Sequence, residues 1–152
     1  MKMTENFKIV AEFVKDMSSE TKDINTYLVA KQNISKYELD INISSKVIKN
    51  TTIEISTSLK FEDKSLNEKK SYFEIVYVSI VQITKDTKKD KLHNKEGLEK
   101  IILIDVQNMI YPRLEKAFLN LLHNSGFPEI NLNDKIDFKK LYERNLIKKN
   151  FS

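Results

Sequence analysis

Side chains of the types that catalyse reactions are few in this chain of 152 residues. The two histidines, His93 and His123, lie thirty residues apart, and neither has a second ligand at helical spacing. A lone histidine is weak evidence for zinc, because a zinc site needs three or four convergent ligands. Cysteine is absent and there are only two glycines, which excludes thiol chemistry, disulfides and a glycine-rich phosphate loop. We therefore expect no metal and no cofactor.

Carboxylates and serines are more frequent, but their spacing indicates no catalytic group. The pairs Asp16 with Glu20 and Glu96 with Glu99 are of a kind found on any charged surface. None of the serines lies in the turn that exposes a nucleophile in hydrolases. Because no set of titratable groups converges, the sequence predicts a protein that is not an enzyme.

The charge balance is basic, with 26 lysines and arginines against 22 acidic residues. A basic surface is one sign of nucleic-acid binding. Only Arg113 and Arg144 are arginines, however, and arginine is the residue favoured for bidentate contacts with phosphates and guanines. We therefore favour a protein without a nucleic-acid partner. The N-terminal residues show no secretory signal and no run of about 18 apolar residues occurs, so we expect a cytoplasmic protein without membrane insertion.

Four segments have the pattern of β-strands, and all of them precede the helices expected at the C-terminal end. Residues 7–13, 37–47 and 53–61 alternate apolar and polar side chains, which is typical of antiparallel strands with one buried face. In the first of these, Phe7, Ile9, Ala11 and Phe13 are expected to share the buried face. The fourth segment, Tyr72–Ile83, is apolar on both faces and should be covered on both sides, by its own domain or by another subunit.

The connections and the C-terminal pattern complete an α+β domain. The first connection, residues 18–35, is long and contains apolar residues, so it should pack against the protein. Residues 96–124 predict a helix that Pro112 kinks or divides and that Gly126 ends, and residues 137–149 predict a second helix. The expected fold over residues 1–152 is one α+β domain: a four-stranded antiparallel sheet with a long crossover after strand one and two C-terminal helices.

Two sequence blocks within residues 108–138 resemble the SecB family of protein-export chaperones. The first is NMIYP at residues 108–112, which matches the family's Asn-apolar-apolar-aromatic-Pro block. The second is GFPEINL at residues 126–132, and KDMSSE at residues 15–20 is similar to the end of the family's first strand. The chain differs at Val106-Gln107, where the family usually has cysteine and proline, and in its basic end, Lys148-Lys149.

The resemblance implies a homotetramer, a dimer of dimers, that holds unfolded precursor proteins and delivers them to the motor SecA without a nucleotide. In the family, two acidic residues after strand one and two residues of strand four bind the basic zinc-binding tail of SecA. The matching residues are Asp16, Glu20, Tyr72 and Glu74. The alternative is that Asp16 and Glu20 are ordinary loop carboxylates.

A holdase also needs an extended apolar groove, because unfolded chains share exposed apolar segments and backbone. The crossover and the last helix are the candidates for lining it, with Tyr27, Leu28 and Val29 facing Phe138, Leu141 and Tyr142. The alternative is that these residues only close the core.

Two other functions remain open from the sequence. Divergent, basic SecB-like chaperones also guard an antitoxin in toxin–antitoxin systems. A small nucleic-acid-binding module is the alternative of another class, based on the lysines of residues 85–95 and on the basic C-terminus.

Overall fold

The computed structural model describes residues 2–3, 6–65, 70–84, 95–132, 136–144 and 148–151, and its centre is a β-sheet. The strands follow the spatial order β1-β2-β5-β4-β3-β6, and all neighbours are antiparallel except β6, which is parallel to β3. The four predicted strands are confirmed, and the sequence did not predict the two short edge strands. The strands are β1 (Lys2–Met3), β2 (Phe7–Glu20), β3 (Glu38–Lys49), β4 (Thr52–Glu62), β5 (Tyr72–Ile83) and β6 (Lys148–Phe151).

The face of the sheet that a long helix covers carries the core, whose residues come from all four long strands. Phe7 and Ile9 of β2 belong to it, as predicted, and are at most 2% exposed. Ala11 and Phe13 do not, because a β-bulge between Ile9 and Ala11 inserts one residue and turns the following side chains to the other face. Phe13 is 48% exposed. The prediction that four alternate residues of this strand share the core was therefore wrong beyond the bulge.

The long helix consists of α2 (Lys95–Lys100), a π-helical segment (Ile101–Asp105) and α3 (Val106–Asn124), with helical backbone at both junctions. Pro112 lies inside α3, so of the two predicted effects of this proline, a kink or a division, the division does not occur. The carbonyl of Asn108, four residues earlier, loses its amide partner, but Asn108 is exposed and water can replace it. The irregular turn lies instead at the π-helical segment.

A buried glutamine follows the π-helical segment and ties it to the sheet. The side chain of Gln107 donates to the carbonyl of Ile102 at 3.1 Å and accepts from the hydroxyl of Thr57 on β4 at 2.9 Å. The π turn makes the amide of Val106 bond to Ile101, five residues earlier. Both the oxygen and the nitrogen of the fully buried Gln107 side-chain amide are thus paired.

The end of α3 confirms the predicted glycine cap. Gly126 has φ of +100°, and the Phe127 amide bonds to the carbonyl of Leu122 at 3.1 Å. The Gly126 amide also bonds to His123, at 3.3 Å. This pair of bonds is the Schellman arrangement, which needs a residue tolerant of positive φ at this position.

Two shorter helices flank the long one. The crossover contains α1 (Ile24–Gln32), capped by the Asp23 carboxylate on the Thr26 amide at 2.8 Å, and a 3₁₀ turn at Ile34–Lys36. Asp137 similarly caps α4 (Phe138–Glu143). The predicted helix to residue 149 was wrong, because α4 ends at Glu143 and residues 148–151 pair with β3 instead. Backbone hydrogen bonds to the edge of β3 stabilise these residues as a strand, and local helix propensity is too weak to prevent it.

Candidate binding surfaces

The four residues predicted to bind SecA share one face of the sheet. Glu20 pairs with Tyr72 across β2 and β5, Ser18 pairs with Glu74, and Asp16 pairs with Val76. Directly opposed residues point to the same face. The other face of β5 at this level carries Phe73 and Ile75, which are fully buried. Asp16, Glu20, Tyr72 and Glu74 therefore form one surface, called here the acidic patch. Asp16 and Glu20 lie within β2 and not after it, which corrects their predicted position.

A lysine on β4 borders the acidic patch. Lys60 pairs with Glu74 across β4 and β5 and forms an ion pair of 3.1 Å with Glu62. Its pKa is raised, mainly by the hydrogen bond to Glu62, with smaller contributions from Glu74 and Tyr72. Burial opposes ionisation of Glu62, but its contacts with Lys70 and Lys60 outweigh burial and lower its pKa. The carboxylates here outnumber the lysines, so the surface remains acidic.

Apolar side chains continue the acidic patch along the same face. Phe13 pairs with Val78, and Ala11 pairs with Ile80. Val76 and Ile80 are partly exposed, whereas Val78 is 1% exposed. Among the described residues, α3 covers the opposite face of β5. We call the surface made of Ala11, Phe13, Val76, Val78 and Ile80 the outer strip. Its three residues of β5 form the second apolar face of that strand, which the sequence indicated. The strip is exposed to solvent at Phe13.

The edge of β2 carries exposed apolar residues as well. β1 pairs only with Lys8 and Ile9. Beyond these residues no described strand covers the free side of β2, on which Val10, Val14 and Met17 are 41%, 41% and 46% exposed. An open edge with apolar side chains is a template for pairing with another chain.

Tyr27 holds α1 against the end of the long helix. Its hydroxyl donates to the carbonyl of Gly126 at 2.8 Å, and its ring lies 5.4 Å from that of Phe127. Lys31, one turn later, forms a 2.7 Å ion pair with Glu129, and this contact raises the pKa of the lysine. Both the hydroxyl and the ring of Tyr27 therefore make contacts within the protein.

Other apolar residues of α1 are exposed. Leu28 and Val29, which were predicted to contact clients, are 48% and 36% exposed. Ile24, which the sequence did not single out, is 66% exposed. Its position at i−4 from Leu28 is the signal that could have identified it, since residues four apart share a helix face.

The predicted partners on α4 lie elsewhere along the long helix. Phe138 is 1% exposed, and its ring is 5.6 Å from that of Tyr111. Leu141 and Tyr142 are partly buried against the core. Tyr111 precedes the end of α3 by thirteen residues, or roughly 20 Å of helix, and α1 is attached beyond that end. The structure of one chain therefore does not bring the two predicted halves of the groove face to face.

The remaining predictions concern the two histidines, the basic segment and membrane-spanning helices. His123 is exposed and bonds to the carbonyl of Ile130 at 2.8 Å, which agrees with a surface or capping role. His93 and the basic segment 85–94 lie outside the described residues. None of the helices in the described ranges has the length and apolar content needed to cross a bilayer.

Comparisons with known proteins identify the family. The sequence profile described as "Preprotein translocase subunit SecB" matches residues 1–149. This chain belongs to the SecB family. A Pelagibacter ubique (strain HTCC1062) protein, provisionally described as protein-export protein SecB, is 51% identical over 93% of this chain and 98% of its own length. Protein-export protein SecB of Bradyrhizobium sp. (strain BTAi1 / ATCC BAA-1182) is 22% identical over 91% of this chain and 80% of its own.

A solved structure shows the same SecB-like fold. It is the SecB-like chaperone Rv1957 of Mycobacterium tuberculosis in complex with a ChAD peptide from the antitoxin HigA1, Rv1956. It superposes with a TM-score of 0.61 over 84% of this chain and 86% of its own, at 10% sequence identity. The predicted α+β fold is thereby confirmed, and the chain is a SecB-family protein-export chaperone.

Proposed function

We propose that this SecB-family protein is a cytoplasmic holdase that binds unfolded precursor proteins, keeps them competent for translocation and delivers them to SecA. The observation that carries the proposal is the acidic patch, in which four residues from two strands meet on one accessible face of the sheet. A negative surface opposite a basic tail gains fast association that is sensitive to salt.

Client binding is assigned to the exposed side of α1. Ile24, Leu28 and Val29 are exposed apolar side chains that no described part of the same chain covers, and exposed apolar area suits the binding of unfolded segments. Tyr27 holds this helix in position. Leu141 and Tyr142 would join the same groove only if a neighbouring subunit brings them near α1, and Phe138 supports α4 from the core.

The homotetramer is part of the proposal. Antiparallel pairing of the free β2 edge with the same edge of a second copy would cover Val10, Val14 and Met17 and continue the sheet. Two such dimers would then form the tetramer. Light scattering should give about four times the chain mass of 17.8 kDa. A monomer at micromolar concentration would contradict this assembly.

The test of SecA docking compares two variants with equal changes of charge. Glu74→Lys alters the acidic patch, whereas Glu54→Lys alters the same sheet face six residues along β4 from Lys60, which is roughly 20 Å away. We expect Glu74→Lys, alone or with Asp16→Lys, to weaken binding of the SecA tail at least about tenfold. Glu54→Lys should leave binding within about twofold. Equal effects of the two single variants would refute the assignment.

A second candidate function is a chaperone dedicated to an antitoxin. The observation in its favour is the shared fold with Rv1957, which was solved with an antitoxin peptide. A labelled antitoxin peptide and an unfolded precursor should then compete for this protein. Tight binding of the antitoxin alone, without binding to precursors or to SecA, would favour this alternative.

A further inference from the structure

The C-terminal strand pairs with one neighbour in the sheet. β6 runs parallel to β3, with Asn42 opposite Lys148 and Ser45 opposite Phe151. Its main contacts are with β3. Backbone pairing of this kind recognises an extended chain through groups that every polypeptide carries. The position that β6 occupies can therefore accept other extended chains.

The available edge of β3 is longer than the strand that occupies it. β3 has twelve residues and β6 has four. The opposite side of β3 is paired with β4 from Glu38 to Lys49. Among the described residues, the edge at positions 38–41 and 46–49 has no strand partner. Val47 and Ile48 on the second of these stretches are 55% and 51% exposed. Unpaired backbone beside exposed apolar side chains is a template for a further strand.

We propose that the edge of β3 on the side of β6, including the positions that β6 occupies, is a second client-binding site, which takes an extended apolar segment of an unfolded polypeptide by strand addition, and that β6 is its tethered competitor. This inference rests on the proposed chaperone function. Backbone pairing suits a protein with many clients, because every polypeptide supplies the same amide and carbonyl groups. Since β6 belongs to the same chain, its effective concentration at the edge is high, and a client must displace it.

Competition by β6 lowers the apparent affinity of the edge by the fraction of molecules in which the edge is open. A chain that ends at Ile147 lacks β6. It should bind a fluorescein-labelled peptide of alternating apolar and polar residues about three to ten times more tightly than the full chain. A peptide of the same sequence with every backbone nitrogen methylated has no amide donor on either edge and should show no gain.

A disulfide provides the opposite perturbation. Ser44 and Asn150 are directly opposed in the register, and neighbouring strands lie about 4.8 Å apart, within the range that a disulfide spans. Because the natural chain has no cysteine, the pair Ser44→Cys with Asn150→Cys forms a single defined bridge. Its oxidised form should bind the unmethylated peptide at least about threefold more weakly than its reduced form.

Hydrogen exchange separates a client site from a simple protective cap. In the truncated chain those amides of residues 42–45 that point toward β6 should lose protection and regain it when the unmethylated peptide is added, whereas those that point toward β4 should stay protected. Equal affinities of the full, truncated and locked forms would overturn the inference while leaving the holdase proposal intact, provided that unfolded precursors still bind. Self-association of the truncated chain without a gain in affinity would also overturn it. Failure of every form to bind any unfolded chain would refute both proposals.

Discussion

Gly126→Ala tests the junction that fixes α1 against the end of the long helix. A Cβ atom at residue 126 would lie 2.6 Å from Cε1 of Tyr27, a distance that forces the ring to move. The backbone φ of +100° also disfavours any L-residue with a side chain. The substitution thus combines a local backbone cost with the loss of a contact between two distant parts of the chain.

The expected magnitude follows from these two costs. Left-handed backbone costs an alanine about 1–2 kcal/mol. Displacing Tyr27 weakens its 2.8 Å hydrogen bond to Gly126, which is worth about 0.5–1.5 kcal/mol, and its ring contact with Phe127, worth a similar amount. Gly126→Ala should therefore lower the free energy of unfolding by about 2–5 kcal/mol and the melting temperature by roughly 5–15 °C.

The assay is urea unfolding followed by circular dichroism at one fixed protein concentration, because association makes stability depend on concentration. Gly97→Ala is the matched control. Gly97 lies in α2 with helical backbone, where alanine is favoured, so this variant should be more stable by about 0.5–1 kcal/mol. The same substitution thus has opposite effects at the two glycines.

A double-mutant cycle separates the two costs. In a Tyr27→Ala background, the effect of Gly126→Ala should fall to the backbone part, about 1–2 kcal/mol. An equal effect with and without the Tyr27 ring would refute the role of the close contact. A loss of less than about 1 kcal/mol in the natural background would refute the whole reasoning.

Three further substitutions have defined outcomes. Thr57→Val leaves Oε1 of buried Gln107 without its donor and should destabilise the protein by about 1–3 kcal/mol in urea unfolding; a neutral result would contradict the pairing. Burial, with nearby carboxylates, raises the pKa of Tyr37 to about 12 from 10.0. Its contribution to stability is therefore complete below about pH 10 and lost as pH rises through about 12, so Tyr37→Phe should show a shallower alkaline loss in the same assay. Asp23→Ala removes the cap of α1 and should cost about 1 kcal/mol, measured as lower amide protection in that helix.

The strands of the sheet could be predicted because the pattern of apolar and polar residues within each segment indicates a strand. β5 has the predicted bounds, Tyr72–Ile83, since its apolar run is bounded by polar residues on both sides. The bulge in β2 could not be predicted, because Ile9, Val10 and Ala11 are all apolar and an inserted residue among them leaves no mark in the pattern. Because the bulge was not predicted, the exposure of Phe13 was not predicted either. The strand was also expected to end before Asp16 and Glu20, which it contains.

The acidic patch was predicted residue by residue only through resemblance to the SecB family. Within the sequence, Glu20 and Tyr72 are separated by more than fifty residues, and nothing local indicates that they are opposed. The register of β2 against β5 places them together. Conversely, the predicted groove paired α1 with α4 because both are apolar, whereas their positions along the long helix are set by packing.

The sequence by itself determined the α+β order and the glycine that ends α3, because periodicity and turn chemistry act over a few neighbouring residues. Only the tertiary structure decided which face each edge residue occupies, where the C-terminal segment pairs and which apolar residues of α1 stay exposed. Those outcomes depend on strand register and on long-range contacts such as Tyr27 with Gly126, whose free energy exists only after distant segments have met.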